Sequence, residues 1–176
     1  MKKSTYDKYV KKALEMYEKA GIVLSEKEKN SVEIADFGLD MLDSIGLSII
    51  TYINTERVCA KEMVLLPGQT CPEHMHVPTN SQAGKEETFR CRCGKCYLYV
   101  EGESQAEIQG YIPPTKVSVL HEVVLNPGDQ YTIMPETLHW FQAGPDGAVI
   151  SEFSTRSTDE TDVFTDNSLV RQTVIE

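Results

Sequence analysis

From about Val32 onward the chain is cut into short β-rich runs by glycine and proline, and this rhythm constrains the fold more than any other feature. The runs fall at 46–54, 57–66, 70–76, 86–93, 96–101, 117–125, 130–134, 138–143 and 147–154. Between them stand Pro67-Gly68, Cys93-Gly94-Lys95, Asn126-Pro127-Gly128 and Gly144-Pro145-Asp146-Gly147. Many short strands with such punctuation predict a mainly β sandwich or barrel. Ahead of them, residues 4–19 carry Tyr6, Tyr9, Val10, Ala13, Leu14 and Tyr17 at spacings of three and four. That spacing predicts a helix with one apolar stripe, ended by Ala20-Gly21. Ser25-Glu26-Lys27-Glu28 has the form of a capping box, so it reads either as a short helix or as an exposed charged turn. A chain of 176 residues is long enough for one domain with a real core. The expected layout is a single domain over 1–176, with a helical extension over about 1–31 and an acidic tail over about 155–176 folded on the barrel.

The formal net charge is -10, with no basic stripe to offset it. Such a surface repels phosphate, which argues against nucleic acid and anionic membrane as partners and favours a small neutral substrate. The apolar runs, such as Met63-Val64-Leu65-Leu66, are far too short to span a bilayer. The N-terminus, MKKSTYDKYVKK, has no apolar core of a secretory signal, so the expected location is the cytoplasm.

Four histidines occur, two of them as His74 and His76 in CPEHMH. On a strand, positions i and i+2 point to one face, so two imidazoles stand together as half of a metal site. Taken alone, the pair reads equally well as an exposed or hydrogen-bonded couple. The flanks add Gly68, Glu87 and Gly94, and later Gly128, Pro135 and His139. Written out, this is G-x5-H-x-H-x10-E-x6-G followed by G-x6-P-x3-H. Order and spacing resemble the two cupin motifs, which imply a double-stranded β-helix, a small jelly roll, and a metal site of His74, His76, Glu87 and His139. Three neutral imidazoles and one carboxylate suit a divalent first-row ion such as Mn, Fe, Co, Ni or Zn. With a formal charge of about +1 the centre would remain a Lewis acid. The alternative is a cupin that keeps the fold and holds no metal. The remaining histidine, His121, lies outside both motifs and reads as a strand or rim residue.

Cys91, Cys93 and Cys96 crowd into six residues, with Cys59 and Cys71 isolated elsewhere. An odd count leaves at least one thiol unpaired within the chain, and a cytoplasmic chain keeps thiols reduced. A structural zinc site normally needs four ligands, and no second Cys pair is present. If 86–93 is a regular strand, Phe89, Cys91 and Cys93 share its inward face, and Cys93-Gly94-Lys95-Cys96 is the turn to the next strand. The three are then packing or turn residues.

Longer stretches are more specific than the metal motif. LPGQTCPEHMH, GKEETFRCRCGKCYLYVEGE, HEVVLNPGDQYTIMPETLHWFQAG and GAVISEFSTRSTDETDVFTD closely resemble the D-lyxose isomerase family of cupin sugar isomerases. Cys93, Cys96 and Met75 depart from the residues that the family more often shows there. The resemblance implies aldose–ketose isomerisation, D-lyxose with D-xylulose and in related members D-mannose with D-fructose, usually with Mn2+. It carries the metal ligands onto His74, His76, Glu87 and His139.

Moving a carbonyl between C1 and C2 means taking a weakly acidic C–H proton through a metal-stabilised cis-enediol. Glu152 in AVISEFS is the candidate base, because a carboxylate among apolar strand residues needs a polar cavity or a partner. Its alternative is a salt bridge, with Arg156 as the candidate partner. Lys85, at i-2 from Glu87, is the second catalytic candidate, either binding a sugar oxygen or protonating the developing alkoxide; the competing reading is a solvated lysine. Glu86 should face away. Phe89, Trp140, Phe141, Asp162 and Phe164 are candidate substrate contacts, one of Trp140 and Phe141 packing a sugar face and the other the core. Asp166 joins Asp162 and Phe164 as a residue that could close the mouth. Arg90 and Arg92 fall on the outward parity, where a homodimer would form. Two other functions share these residues: a non-haem metal cupin dioxygenase, and a sugar-binding cupin without turnover. Asp36-Phe37-Gly38 spells a kinase tripeptide without any of its companions, a chance match.

Overall fold

A computed structural model describes residues 1–79 and 83–176. Helices α1 (Lys3–Lys19) and α2 (Glu26–Lys29) precede strands β1 (Glu33–Ala35), β2 (Leu47–Asn54), β3 (Cys59–Leu65), β4 (Thr70–Met75), β5 (Glu87–Val100), β6 (His121–Leu125), β7 (Gln130–Ile133) and β8 (His139–Ser154). A short 3-10 turn (Asp159–Thr161) and strand β9 (Val163–Phe164) follow.

The frame is the antiparallel pair β5–β8, in register from Glu87↔Ser154 to Val100↔His139. On its other edge β8 pairs first with β4 and then with β3, while β5 pairs with β6 and β7. The pairing thus divides into two halves along one bent ladder, and the mainly β cupin jelly roll follows from that bend. Gly94 and Gly147 sit at it with φ of 73° and 81°. A Cβ at Gly94 would stand 2.0 Å from the Gly147 carbonyl oxygen, so the two strands can cross there only with glycine.

This corrects the expectation of separate strands at 86–93 and 96–101, and at 138–143 and 147–154. Cys93-Gly94-Lys95-Cys96 and Gly144-Pro145-Asp146-Gly147 do not reverse the chain; each lies inside a continuous strand. Left-handed glycine serves a bulge as well as a hairpin, so composition alone does not separate them. The register slips between Cys91 and Cys93 and again between Gly94 and Cys96. Cys93 therefore does not share the face of Phe89 and Cys91. It packs under α1, whereas Cys91 and Cys96 lie in the central core. All five thiols are free.

Two satellite layers cover the outside of the sheet. Tyr9, Ala13 and Tyr17 of α1 are buried against Ile34, Ile50, Val64 and Val149, the face that the apolar stripe predicts. Ser25 and Glu28 complete the capping box of α2. On another outer face, residues 101–120 wrap over Tyr99 and Trp140, whose rings stack at 3.7 Å. Strands β1 and β9, three and two residues long, lie outside the predicted set because pairing partners, not local pattern, create them. No helix is long and apolar enough to cross a membrane among the described residues.

Candidate metal centre

His74 on β4 and His139 on β8 are cross-strand partners. Their ring centroids are 4.2 Å apart, and His76 lies 5.0 Å from His74 and 5.2 Å from His139. A ligand atom from each of the three rings falls within 4.8 Å of the others. Glu87, the first residue of β5, brings Oε1 to 3.1 Å from both His76 Nε2 and His139 Nε2.

The Nδ1 atoms explain this convergence. His74 Nδ1 meets the Pro72 carbonyl at 2.8 Å, His139 Nδ1 the Thr137 carbonyl at 2.9 Å, and His76 Nδ1 the Asp162 carboxylate at 2.5 Å. With Nδ1 turned outward, Nε2 of each ring faces the centre, the arrangement found behind metal-bound histidines. His139 Nε2 is buried and makes no hydrogen bond, despite its closeness to Glu87. A divalent cation would satisfy that atom, and the donor set of three imidazoles and a carboxylate suits one. Burial pushes His74 well below the usual imidazole range, so it is neutral, as a ligand must be. His76 is raised to about 9, because Glu87 and Asp162 outweigh the downward pull of burial, so a cation must displace a proton there. Burial works to raise the Glu87 carboxyl, yet Lys85 and His76 hold it well below the carboxylate range.

Beside the histidines lies a small cavity of about 30 Å³, space for a water or two. Leu47, Ile49, Met63, Phe89 and Phe141 line its apolar side, and Lys61, Lys85, Glu152 and Asp159 its polar side. Lys85 Nζ reaches Glu87 Oε2 at 2.7 Å, Glu152 Oε1 at 3.2 Å and Asp159 Oδ1 at 3.2 Å. Lys61 Nζ lies 2.6 Å from Asp159 Oδ2 and 3.4 Å from Glu152 Oε1. Arg171 bridges Glu33 at 2.5 Å and Asp159 at 3.4 Å. Burial works against the Lys85 charge, but Asp159, Glu152 and Glu87 hold its ammonium well above the ordinary lysine range. Asp159, drawn the other way by Lys85, Lys61 and Arg171, stays ionised. His76, Asp159 and Asp162 form a second cluster of candidate ligands. Three cations already neutralise Asp159, so this cluster supports the first centre and is no second cation site.

Most of the candidate residues from the sequence therefore meet: His74, His76, Glu87 and His139 at the centre, and Lys85, Glu152, Phe89, Phe141, Asp162 and Phe164 around the cavity. Trp140 does not. It faces away from the cavity, stacked on Tyr99 with its indole N–H donated to the Val119 carbonyl at 2.8 Å, because successive strand residues alternate faces. Arg156 is not the partner of Glu152; it pairs with Glu56 at the surface. Lys85 is buried, not solvated, and Glu86 faces out as expected. Asp166 turns to Ser168, and His121 Nδ1 meets the Glu103 carbonyl, both outside the cavity. Beyond the apolar strand residues, Lys61, Phe37, Asp159 and Arg171 also line the cavity without being candidates from the sequence. Lys61, a charge inside the apolar run CAKEMVLL, carries the same signal as Glu152. Phe37, Asp159 and Arg171 lie in irregular segments with no periodicity to read.

A family model for D-lyxose isomerase matches residues 5–176. The chain belongs to the D-lyxose isomerase family. Among its relatives, a D-lyxose ketol-isomerase of Cohnella laeviribosi is 57% identical, over 92% of this chain and 91% of that one. A D-lyxose/D-mannose isomerase of Thermosediminibacter oceani is 53% identical, over 100% of this chain and 99% of that one. The fold is shared with the L-ribose isomerase of Cellulomonas parahominis at a TM-score of 0.76 and 17% identity, over 100% of this chain and 98% of that one. Like its family, the chain is a sugar isomerase, an enzyme of the aldose–ketose type.

Proposed function

We propose that the enzyme interconverts D-lyxose and D-xylulose, and also D-mannose and D-fructose, using a divalent cation, Mn2+ foremost, held by His74, His76, Glu87 and His139. The observation that carries this reading is the contact of that donor set, through Glu87, with the Lys85–Glu152 pair beside one cavity. The identity to relatives named for D-lyxose and D-mannose supports the two sugars.

When bound, the cation supplies Lewis-acid stabilisation of negative charge on the two oxygens of the reacting carbons. The protein's own groups do the rest. Glu152 takes the C2 proton of the aldose, C1=C2 becomes the double bond of a cis-enediol, and the same carboxyl returns the proton to C1. The O2 hydroxyl proton passes to O1, leaving the ketose. Lys85 and Ser154 Oγ, at 3.2 and 3.1 Å, fix the Glu152 carboxylate in position. Because the Lys85 ammonium is held so firmly charged, it serves as a hydrogen-bond donor to a sugar oxygen and not as a titrating acid. Phe89, Phe141 and Phe164 give the apolar side against which a sugar ring face packs. Asp162 acts behind His76 in this reading, not on the sugar.

Residues 1–176 act as one cupin domain in the cytoplasm, where five free thiols stay reduced. Ile53, Val58 and Phe153, about half exposed on the bare outer face, support a homodimer that light scattering would detect.

An anaerobic assay on metal-stripped protein tests the function. Adding Mn2+ back should produce D-xylulose from D-lyxose and D-fructose from D-mannose. Absence of ketose with Mn2+, Co2+, Ni2+ and Zn2+ would sink the reading, and oxygen uptake would then point to the dioxygenase.

A further inference from the structure

Two of the three histidines are oriented by the backbone just before them. His74 and His139 each give Nδ1 to the carbonyl two residues upstream, Pro72 and Thr137. His76 alone is oriented by a side chain from elsewhere, Asp162, which follows it by 86 residues. Asp162 sits just before β9, where Val163 and Phe164 pair with Met75 and His74. Thr165 extends that attachment, its hydroxyl bonding the buried Glu73 carboxylate and its N–H the Glu73 carbonyl at 3.2 Å. The tail is thus bound to the histidine-bearing strand immediately after Asp162, which is 5% exposed at the side chain.

We propose that Asp162 is the positioning residue of the metal centre. It fixes His76 with Nδ1–H outward and Nε2 inward, and so makes cation affinity depend on the docking of the C-terminal segment. This rests on the metal reading above. The sequence placed Asp162 at the substrate mouth; the 2.5 Å contact points to His76 instead. Coupling of this kind is reciprocal: whatever the docked segment adds to cation affinity, the cation adds to docking. The same segment carries Asp159, which pairs with Lys61 and Lys85, so an occupied centre also firms the polar wall of the cavity. Loss of such an outer partner typically weakens metal binding by roughly 10–100-fold.

The test compares full-length wild type, Asp162→Ala and Asp162→Asn, with circular dichroism verifying the fold. Mn2+ affinity is read by electron paramagnetic resonance, and the imidazole N–H protons by NMR of the Zn2+-loaded proteins. Wild type should bind Mn2+ and show three slowly exchanging Nδ1–H signals. Asp162→Ala should bind roughly 10–100-fold more weakly and lose only the His76 signal. Asp162→Asn, whose amide oxygen still accepts from Nδ1–H, should keep that signal and fall between the two. Equal Mn2+ affinity in wild type and both variants, or an unchanged His76 signal in Asp162→Ala, would overturn the proposal while leaving the metal reading intact. A wild type that binds neither ion would overturn both.

Discussion

One half of the cavity is built on strands, the other on an irregular tail. His74, Lys61, Glu87, His139 and Glu152 stand on β3, β4, β5 and β8, where ladder hydrogen bonds fix each residue opposite a known partner. Asp159, Asp162, Phe164 and Arg171 come from residues after β8, where the only regular elements are a three-residue turn and a two-residue strand. The first half carries the proposed chemistry. The second neutralises its lysines, orients one histidine and covers the cavity. The contrast is between reacting groups held by a sheet and supporting groups held by ion pairs.

The largest effects should come from the strand half. His139→Ala should abolish tight Mn2+ binding and reduce kcat/KM by more than about a thousandfold, as read by metal analysis and ketose assay. Glu152→Gln should keep the metal but lower kcat by roughly 10²–10⁴-fold. If either variant retains near wild-type turnover, the strands do not carry the chemistry.

Asp159→Asn tests the tail half and should act on both stability and rate. Three cations hold the Asp159 carboxyl below its ordinary range. Its stabilisation is therefore complete above the unfolded carboxylate pKa near 4 and is lost as pH falls through and below that value. Urea unfolding of Asp159→Asn should show lower stability at pH 7 and a shallower loss toward acid than wild type. A variant whose stability changes equally at pH 3 and pH 7 would remove Asp159 from that network. Phe164→Ala should raise KM several-fold with a smaller change in kcat, since it takes away apolar wall and no charge. Trp140→Phe should leave both constants unchanged and cost about 1 kcal/mol of stability through the lost bond to Val119. A raised KM for that variant would return Trp140 to the cavity.

The same division explains what could be read from the chain alone. His74, His76, Glu87 and His139 were legible because strand parity and cupin spacing convert positions into directions. Glu152 was legible as a charge in an apolar strand, and Lys61 carried the same signal unread. Parity failed where the ladder slips: Cys93 turned to the α1 side, and two apparent hairpins were bends inside β5 and β8. Asp159 and Arg171 were illegible because nothing periodic ties them to the sheet; only their ion pairs across the fold reveal them. Asp162 is legible as a candidate in the acidic tail, whereas its pairing with His76, 86 residues away, is visible only in the fold.

The most direct test sets Mn2+-reconstituted wild type beside Glu152→Gln, measuring bound manganese and anaerobic D-xylulose formation from D-lyxose in the same samples. Wild type should hold manganese and form ketose, while Glu152→Gln holds as much manganese and forms almost none. Comparable ketose from the two proteins would contradict the assignment of the base, and no ketose from loaded wild type would contradict the account as a whole.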